Sequence, residues 1–231
     1  MKMLLTCEHG GNKIPMQYQS YFANHEAVLD THRGYDLGAL DLFNHLKSLA
    51  NFSEYSETSR LLIELNRSLH HKNLFSEFSK HLSENEKEKL ISRYYIEYRE
   101  GLEAVLVKQL KPNKKVVHIS VHSFTPILNN KKRDCDIGLL YDSRNALEKA
   151  FSMHLKKEIL KLDKRLNVRF NYPYLGKSDG FTTHLRKQLN KNYIGIELEV
   201  NQNFATNNIM DSRIKTVLFS AIKNSITKPT V

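Results

Sequence analysis

The chain has 231 residues, 40% of them hydrophobic, with nine Gly and five Pro, and this composition excludes collagen, extensive disorder and a repeat array. Its 35 basic and 25 acidic residues give a formal net charge of +10, which favours acidic partners such as anionic small molecules, nucleic acid or a membrane surface. No apolar run approaches the roughly 20 residues of a membrane span, and the apolar start is too short for a secretory signal. We therefore predict a cytoplasmic protein that is not embedded in a membrane.

The N-terminal half is predicted to alternate strands and helices around a Gly-rich loop. Residues 2–6 form a short apolar strand that leads directly into Glu8-His9-Gly10-Gly11, and α/β proteins place their sites at such strand ends. Three further elements are predicted here: a helix over 37–50, a strand over 61–65, and a long helix over 83–110 that opens on a capping box.

The C-terminal half continues this alternation. Its predicted strands cover 115–121, 137–141, 167–171 and 193–200, and its predicted helices cover 145–160, 180–189 and 209–222. Strands that alternate with helices imply crossover connections and a mostly parallel sheet covered on both faces. Because the sequence has neither a Ser/Gly-rich linker nor an internal period, we predict a single domain over residues 1–231.

Three polar clusters lie at or after the ends of predicted strands. They contain Glu8-His9, His122-Ser123 and the run 197–202, and parallel strands would bring them to one edge of the sheet. Two histidines, a carboxylate and an open fourth position make up a catalytic zinc site, and a nearby Glu is its usual general base. The third ligand could come from residues 32–36. Capping and surface roles remain the alternative for the same side chains.

Seven sequence blocks follow one another over nearly the whole chain, at residues 6–15, 32–39, 59–67, 121–126, 133–138, 171–183 and 195–202. In this order they resemble the N-formylglutamate amidohydrolase family. The third block, 59–67, carries Glu64 where Asp is more usual in the family. The resemblance implies a three-layer α/β/α sandwich of the zinc-carboxypeptidase type, with a mostly parallel mixed sheet, and metal-dependent hydrolysis of an amide bond.

The resemblance also implies the metal ligands of such a centre. His9 and His122 match the imidazole ligands of one divalent ion, which we expect to be zinc. Asp36, in the run His32 to Asp36, is the expected carboxylate ligand, and Glu8 is its competitor.

The last block supplies the catalytic glutamate. The family pattern selects Glu199 as general base, and Glu197 remains a rival because side chains on a strand alternate with period two. The expected reaction is attack by a metal-activated water, with the glutamate moving the proton.

Cationic side chains are expected to bind an acidic substrate. Asn66 and Arg67 resemble the Asn-Arg pair that holds a substrate carboxylate in carboxypeptidase-like enzymes, and an ion pair between Arg67 and Glu64 is the structural alternative. Arg186 is a second candidate for binding a substrate carboxylate. The run 95–99 lacks the family's Pro and His, which leaves the acyl group and the amino acid open.

The sequence thus predicts a metal-dependent amidohydrolase that acts on an N-formyl or other N-acyl amino acid resembling N-formylglutamate. The alternatives are a peptidoglycan or muropeptide amidase and a non-catalytic family member that binds an acidic ligand. Nucleic acid is not the expected partner, because the tyrosines near Arg93 recur at helical spacing and suggest core packing.

Overall fold

The computed structural model describes residues 1–110, 114–189 and 192–227. Its ten strands are β1 Lys2–Cys7, β2 Phe52–Tyr55, β3 Val116–Phe124, β4 Ile127–Leu128, β5 Lys131–Lys132, β6 Ile137–Leu140, β7 Val168–Phe170, β8 Tyr193–Asn201, β9 Ala205–Thr206 and β10 Ile209–Met210. Its six α-helices are α1 Ala39–Leu46, α2 Glu84–Leu90, α3 Glu97–Gln109, α4 Ala146–Leu162, α5 Phe181–Gln188 and α6 Ser212–Thr227.

The central sheet has six strands in the order β2-β1-β3-β8-β6-β7. The first four are mutually parallel, β6 runs antiparallel to β8, and β7 pairs parallel with β6. This mixed, mostly parallel sheet confirms the predicted α/β class. Two small hairpins, β4-β5 and β9-β10, lie outside it.

Helices cover both faces of the sheet, so the fold has three layers. On one face, α1, α4 and α6 pack on alternate side chains of the central strands in a cluster that includes Leu5, Ile119 and Leu198. On the other face, α3 and α5 pack on Leu4, Val116 and Tyr193. No helix in the described ranges is long and apolar enough to cross a membrane.

Local sequence accounts for the helix ends near these layers. Asn145 caps α4 by accepting hydrogen bonds from the backbone N–H groups of Leu147 and Glu148 at 3.0 and 3.3 Å. Ser83 caps α2 in the same way, as the capping box predicts. A π-helical turn over Ile91–Ile96 joins α2 to α3 and makes the predicted long helix one continuous unit.

The strand predicted over residues 61–65 is wrong, because these residues form turns and irregular backbone. They are nevertheless buried in a second apolar cluster, where they pack with side chains such as Leu74, Leu82 and Leu90. Periodicity cannot distinguish a short buried strand from another buried segment. The edge strand β2 was not predicted, and Phe52 and Tyr55 in it remain partly exposed.

The loop after β1 is held close to the loop after β2, which fixes where Glu8 and His9 lie. The N–H of Gly10 donates to the carbonyl of Ser56 at 2.9 Å. A Cβ atom at Gly11 would lie 2.8 Å from the carbonyl oxygen of Glu57, so only glycine permits this approach.

Candidate metal centre

The predicted polar clusters meet at one edge of the sheet. His9 follows β1, His122 lies within β3, Glu199 lies within β8, and Asp36 sits in the turn before α1. The N–H of Asp36 donates to the carbonyl of His9 at 3.0 Å, which ties that turn to the loop after β1.

His9, Asp36 and His122 form a buried His-Asp-His group whose ligand atoms all lie within 4.8 Å of one another. Asp36 Oδ2 is 2.9 Å from His122 Nδ1 and 3.4 Å from His9 Nδ1. His9 Nδ1 is buried and makes no hydrogen bond to any described residue. Two imidazole nitrogens and a carboxylate oxygen that converge in this way could hold a divalent cation.

Each imidazole is held at its other nitrogen by a buried partner. His9 Nε2 hydrogen-bonds Glu64 Oε1. His122 Nε2 lies 2.8 Å from Ser120 Oγ and 3.2 Å from Glu8 Oε2. Partners of this kind fix the ring orientation and leave both Nδ1 atoms directed at Asp36.

Glu8 and Asp36 lie on opposite sides of the His122 ring. Glu8 accepts hydrogen bonds from Ser120 at 2.5 Å and from Tyr98 at 3.2 Å, and it belongs to the support of His122. Burial opposes ionisation of Glu8, but the hydrogen bond and charge of His122 hold its pKa well below the usual range. Of the two predicted carboxylate ligands, therefore, only Asp36 lies in the His-Asp-His group.

Glu199 lies beside this group on β8, where its backbone pairs with His122 of β3. Its side chain is buried, and Oε2 has no hydrogen-bond partner in the described part of the chain. Burial raises the pKa of Glu199 to about 7, with Asp36 and Glu197 adding to the rise and His122 opposing it.

Glu197 shares the strand face of Glu199 but has a different environment. Its Oε1 accepts a hydrogen bond of 2.7 Å from Thr182 Oγ1, and this bond ties the Glu197 side chain to α5. Both glutamates border the same cleft.

That cleft has a volume of about 280 Å³ and opens above the His-Asp-His group. Asn66 and Arg67 line it, together with Tyr174 and Asp179. Asn66 Oδ1 accepts from the N–H of Phe181 at 2.7 Å, and Arg67 Nη1 donates to the carbonyl of Asp179. The predicted Asn-Arg pair is thus held at the rim of the cleft.

Two predicted site residues do not line the cleft: Glu8, which contacts His122, and Arg186. Its guanidinium donates to Glu148 at 2.8 Å, to the carbonyl of Gly176 at 2.6 Å and to the carbonyl of Gly195 at 2.9 Å. A guanidinium engaged in this way supports β8 and α4 and has few donors left for a substrate.

Arg60 was not predicted, although it sits in the third family-like block. Its Nε and Nη2 donate to Glu64 Oε2 at 2.9 and 2.6 Å, and its Nη1 lies 3.4 Å from Asp36 Oδ1. Arg60, and not Arg67, is therefore the ion-pair partner of Glu64. The spacing of four residues between Arg60 and Glu64 was the available signal, but it predicts a pair only if the segment is helical.

Comparison with known proteins gives one family and several similar folds. The model of the family described as N-formylglutamate amidohydrolase matches residues 1–205. The gene product Atu2144 from Agrobacterium tumefaciens has a similar fold, with a TM-score of 0.79 and 24% identity over 98% of this chain and 90% of that chain. N-formylglutamate amidohydrolase from Ralstonia eutropha JMP134 gives a TM-score of 0.71 and 14% identity over 99% of this chain and 94% of that chain.

A comparison with curated proteins gives no match. The family model nevertheless spans most of the sequence, including every block named above and all members of the His-Asp-His group. The chain belongs to the N-formylglutamate amidohydrolase family.

Proposed function

We propose that this protein is a metal-dependent amidohydrolase that removes the acyl group of an acidic N-acyl amino acid such as N-formylglutamate. The observation that carries the proposal is the position of the buried Glu199 carboxylate beside the His-Asp-His group. A general base next to a set of metal ligands is the arrangement that metal-assisted hydrolysis requires.

The residues fit a divalent metal ion, with zinc as the proposed ion. The donor set consists of two imidazoles, which bind metal ions in their neutral form, and one carboxylate. This set is common in catalytic zinc sites. The orphaned, buried Nδ1 of His9 is a polar atom whose burial is costly without a partner, and a cation would satisfy it. His9, Asp36 and His122 would be the ligands.

When bound, the metal would activate water and polarise the scissile carbonyl group. Glu199 accepts a proton from the attacking water and returns it to the departing nitrogen. Burial raises the pKa of Glu199, and a raised pKa suits a group that must act first as a base and then as an acid near neutral pH. Burial keeps competing water away from the carboxylate.

Arg67 and Asn66 would orient the substrate. A guanidinium can hold a carboxylate through two parallel hydrogen bonds, which fixes the substrate relative to Glu199. The volume of about 280 Å³ suits a small amino-acid derivative.

The test combines metal analysis with assays on N-formyl-L-glutamate and other N-acyl amino acids. We expect about one divalent ion per chain and hydrolysis that falls by about 10²–10⁴-fold in Glu199→Gln. Glu197→Gln is the matched control on the same strand, and its loss should be smaller. If Glu199→Gln retains full activity on every substrate, or if the wild-type protein cleaves none of them, the proposed function is wrong.

A further inference from the structure

A second, larger cavity adjoins the cleft on the side of Arg67. Its volume is about 690 Å³, and we call it the basic cavity. Its charged lining is dominated by cations: Arg33, Arg60, Arg67, Lys72 and Lys80, against Glu64 and Glu77. Because Arg60 and Arg67 line both spaces, the basic cavity and the cleft share a wall.

Two of the five cations are neutralised by neighbouring carboxylates. Arg33 pairs with Glu77, and Arg60 pairs with Glu64. In the described ranges, none of the other three, which are Arg67, Lys72 and Lys80, has a carboxylate oxygen within 4.0 Å. The lining of the cavity therefore carries an excess of positive charge.

The wall that carries the two lysines is anchored to the protein. Leu74, between them, is buried, and its carbonyl accepts from the N–H of Glu64 at 2.9 Å. Ser79 is also buried, and its hydroxyl donates to the carbonyl of Leu61 at 3.1 Å. The lysine side chains are exposed, but their backbone is fixed relative to Glu64.

We propose that the substrate carries a further anionic group, beyond the carboxylates of the N-acyl amino acid that the cleft holds, and that this group lies in the basic cavity. The inference rests on the proposed function and narrows its substrate class to N-acyl acidic compounds with an anionic extension, such as an N-acyl acidic dipeptide. Lys72 and Lys80 line the basic cavity and not the cleft, so a group that reaches them must extend beyond the cleft. A carboxylate and a phosphate would both complement their charge.

The test measures binding by calorimetry to the Glu199→Gln protein, so that the ligands are not consumed. The probes are N-formyl-L-glutamyl-L-glutamate, the same compound with phosphoserine as its second residue, and N-formyl-L-glutamyl-L-glutamine amide. The last has a neutral second residue and is called the neutral probe. We expect the anionic probes to bind about tenfold more tightly than the neutral probe, since each lysine contributes a modest, partly screened attraction. A larger advantage for one anionic probe identifies carboxylate or phosphate as the preferred group.

The double variant Lys72→Gln/Lys80→Gln, made in the same background, should lose that advantage. The matched control is Lys157→Gln/Lys161→Gln on α4, which removes the same charge from exposed positions outside the cavity lining and should keep the advantage. Equal binding of charged and neutral probes, an advantage that survives in the cavity variant, or no binding of any probe overturns the inference. Hydrolysis by the wild-type protein is scored separately, so a binding advantage without turnover would refute the proposed function alone.

Discussion

At the scale of single residues, the geometry of the candidate metal centre depends on which ring nitrogen of each histidine is hydrogen-bonded to a supporting side chain. Glu64 and Glu8 each hold the distal nitrogen of one imidazole, and Asp36 faces both Nδ1 atoms. Burial opposes protonation of both histidines, but the neighbouring carboxylates outweigh it. Glu64 and Asp36 raise the pKa of His9, and the hydrogen bonds that His122 makes to Asp36 and Glu8 raise the pKa of His122 well above its usual value. Without a metal ion, protons on the imidazoles would balance the negative charge of the neighbouring carboxylates. Metal binding should therefore release protons.

The support of His9 can be tested by removing the charge of Glu64. We expect Glu64→Gln to weaken zinc binding by about 10–100-fold, because the amide cannot polarise the imidazole as a carboxylate does. Competition with a chromophoric chelator measures the affinity. Glu77→Gln is the control, since Glu77 pairs with Arg33 on the surface. An unchanged affinity in Glu64→Gln would show that Glu64 does not position the ligand.

The role proposed for Arg67 predicts a substrate-dependent effect. Arg67→Lys keeps the charge but loses the bidentate geometry, so KM should rise about tenfold for acidic N-acyl amino acids, by loss of one charged hydrogen bond. Neutral N-acyl amino acids should be affected much less. Steady-state kinetics on matched acidic and neutral substrates makes the comparison, and equal increases in KM would rule out a carboxylate clamp.

At the scale of elements, the sequence predicts the parts of the fold whose pattern is local. The strands β1, β3 and β8 are apolar runs that contain or lead into polar clusters, and this pattern predicted that the clusters around His9, around His122 and over residues 197–202 would meet. The choice of Glu199 within the last cluster came from the family resemblance. The direction of β6 could not be predicted, because residues 137–140 are buried on both faces and their pattern is the same in either direction.

The directions in which the side chains point at the site also could not be predicted from the sequence. Glu8 and Asp36 are both acidic residues that contact a predicted histidine ligand. Glu8 is distinguished from the candidate ligand Asp36 by its hydrogen bonds with Ser120 and Tyr98. Those contacts join residues about 90 and 112 positions apart, so no local spacing encodes them. The same reason explains why Arg186 was assigned to the substrate, since its partner Glu148 lies 38 positions away. Arg60 was missed for a different reason, because its spacing of four residues from Glu64 predicts an ion pair only in a helix.

Strand β6 offers a prediction about how closely the cleft wall approaches the sheet. A Cβ atom at Gly138 would lie 2.1 Å from the carbonyl oxygen of Tyr172 and 3.2 Å from the Cβ atom of Glu199. We expect Gly138→Ala to reduce the free energy of unfolding by about 1–3 kcal/mol, because backbone must move to relieve the overlap.

The matched control for that substitution is Gly101→Ala in α3, where an added Cβ meets nothing within 4 Å. Alanine there should increase stability by about 0.4–1 kcal/mol, since it restricts the unfolded chain and favours the helix. Chemical denaturation of the two variants measures both effects. If Gly138→Ala is as stable as the wild-type protein, the approach of the Tyr172 segment to β6 is looser than the structure indicates.

At the scale of the whole molecule, one face of the sheet combines the apolar core with a buried polar network. His118 lies in this network below the candidate site, 2.8 Å from Thr6 Oγ1 and 2.7 Å from the Tyr193 hydroxyl. The ring is fully buried and edge-on to Phe181. A protonated ring would have to lose its hydration there, so folding favours the neutral form.

This burial makes the stability of the whole chain depend on pH. The pKa of His118 is lowered from 6.5 to about 4, chiefly by burial; Glu8 opposes this shift, and Arg186 and His122 contribute to it. Below pH 6.5 the unfolded chain binds a proton at His118 that the folded chain does not, so stability falls as the pH decreases towards 4. The full loss from this residue is about 3 kcal/mol, at about 1.4 kcal/mol per pH unit.

We expect His118→Gln to be less stable than the wild-type protein at pH 7.5 but to lose less stability between pH 6.5 and 4. Urea unfolding of both proteins in the presence of a chelator measures the difference, because other titrating groups and metal release then contribute equally. The two curves of unfolding free energy should converge as the pH falls. Parallel curves would show that His118 takes up its proton in the folded protein as readily as in the unfolded chain, and the polar network would then have to be hydrated.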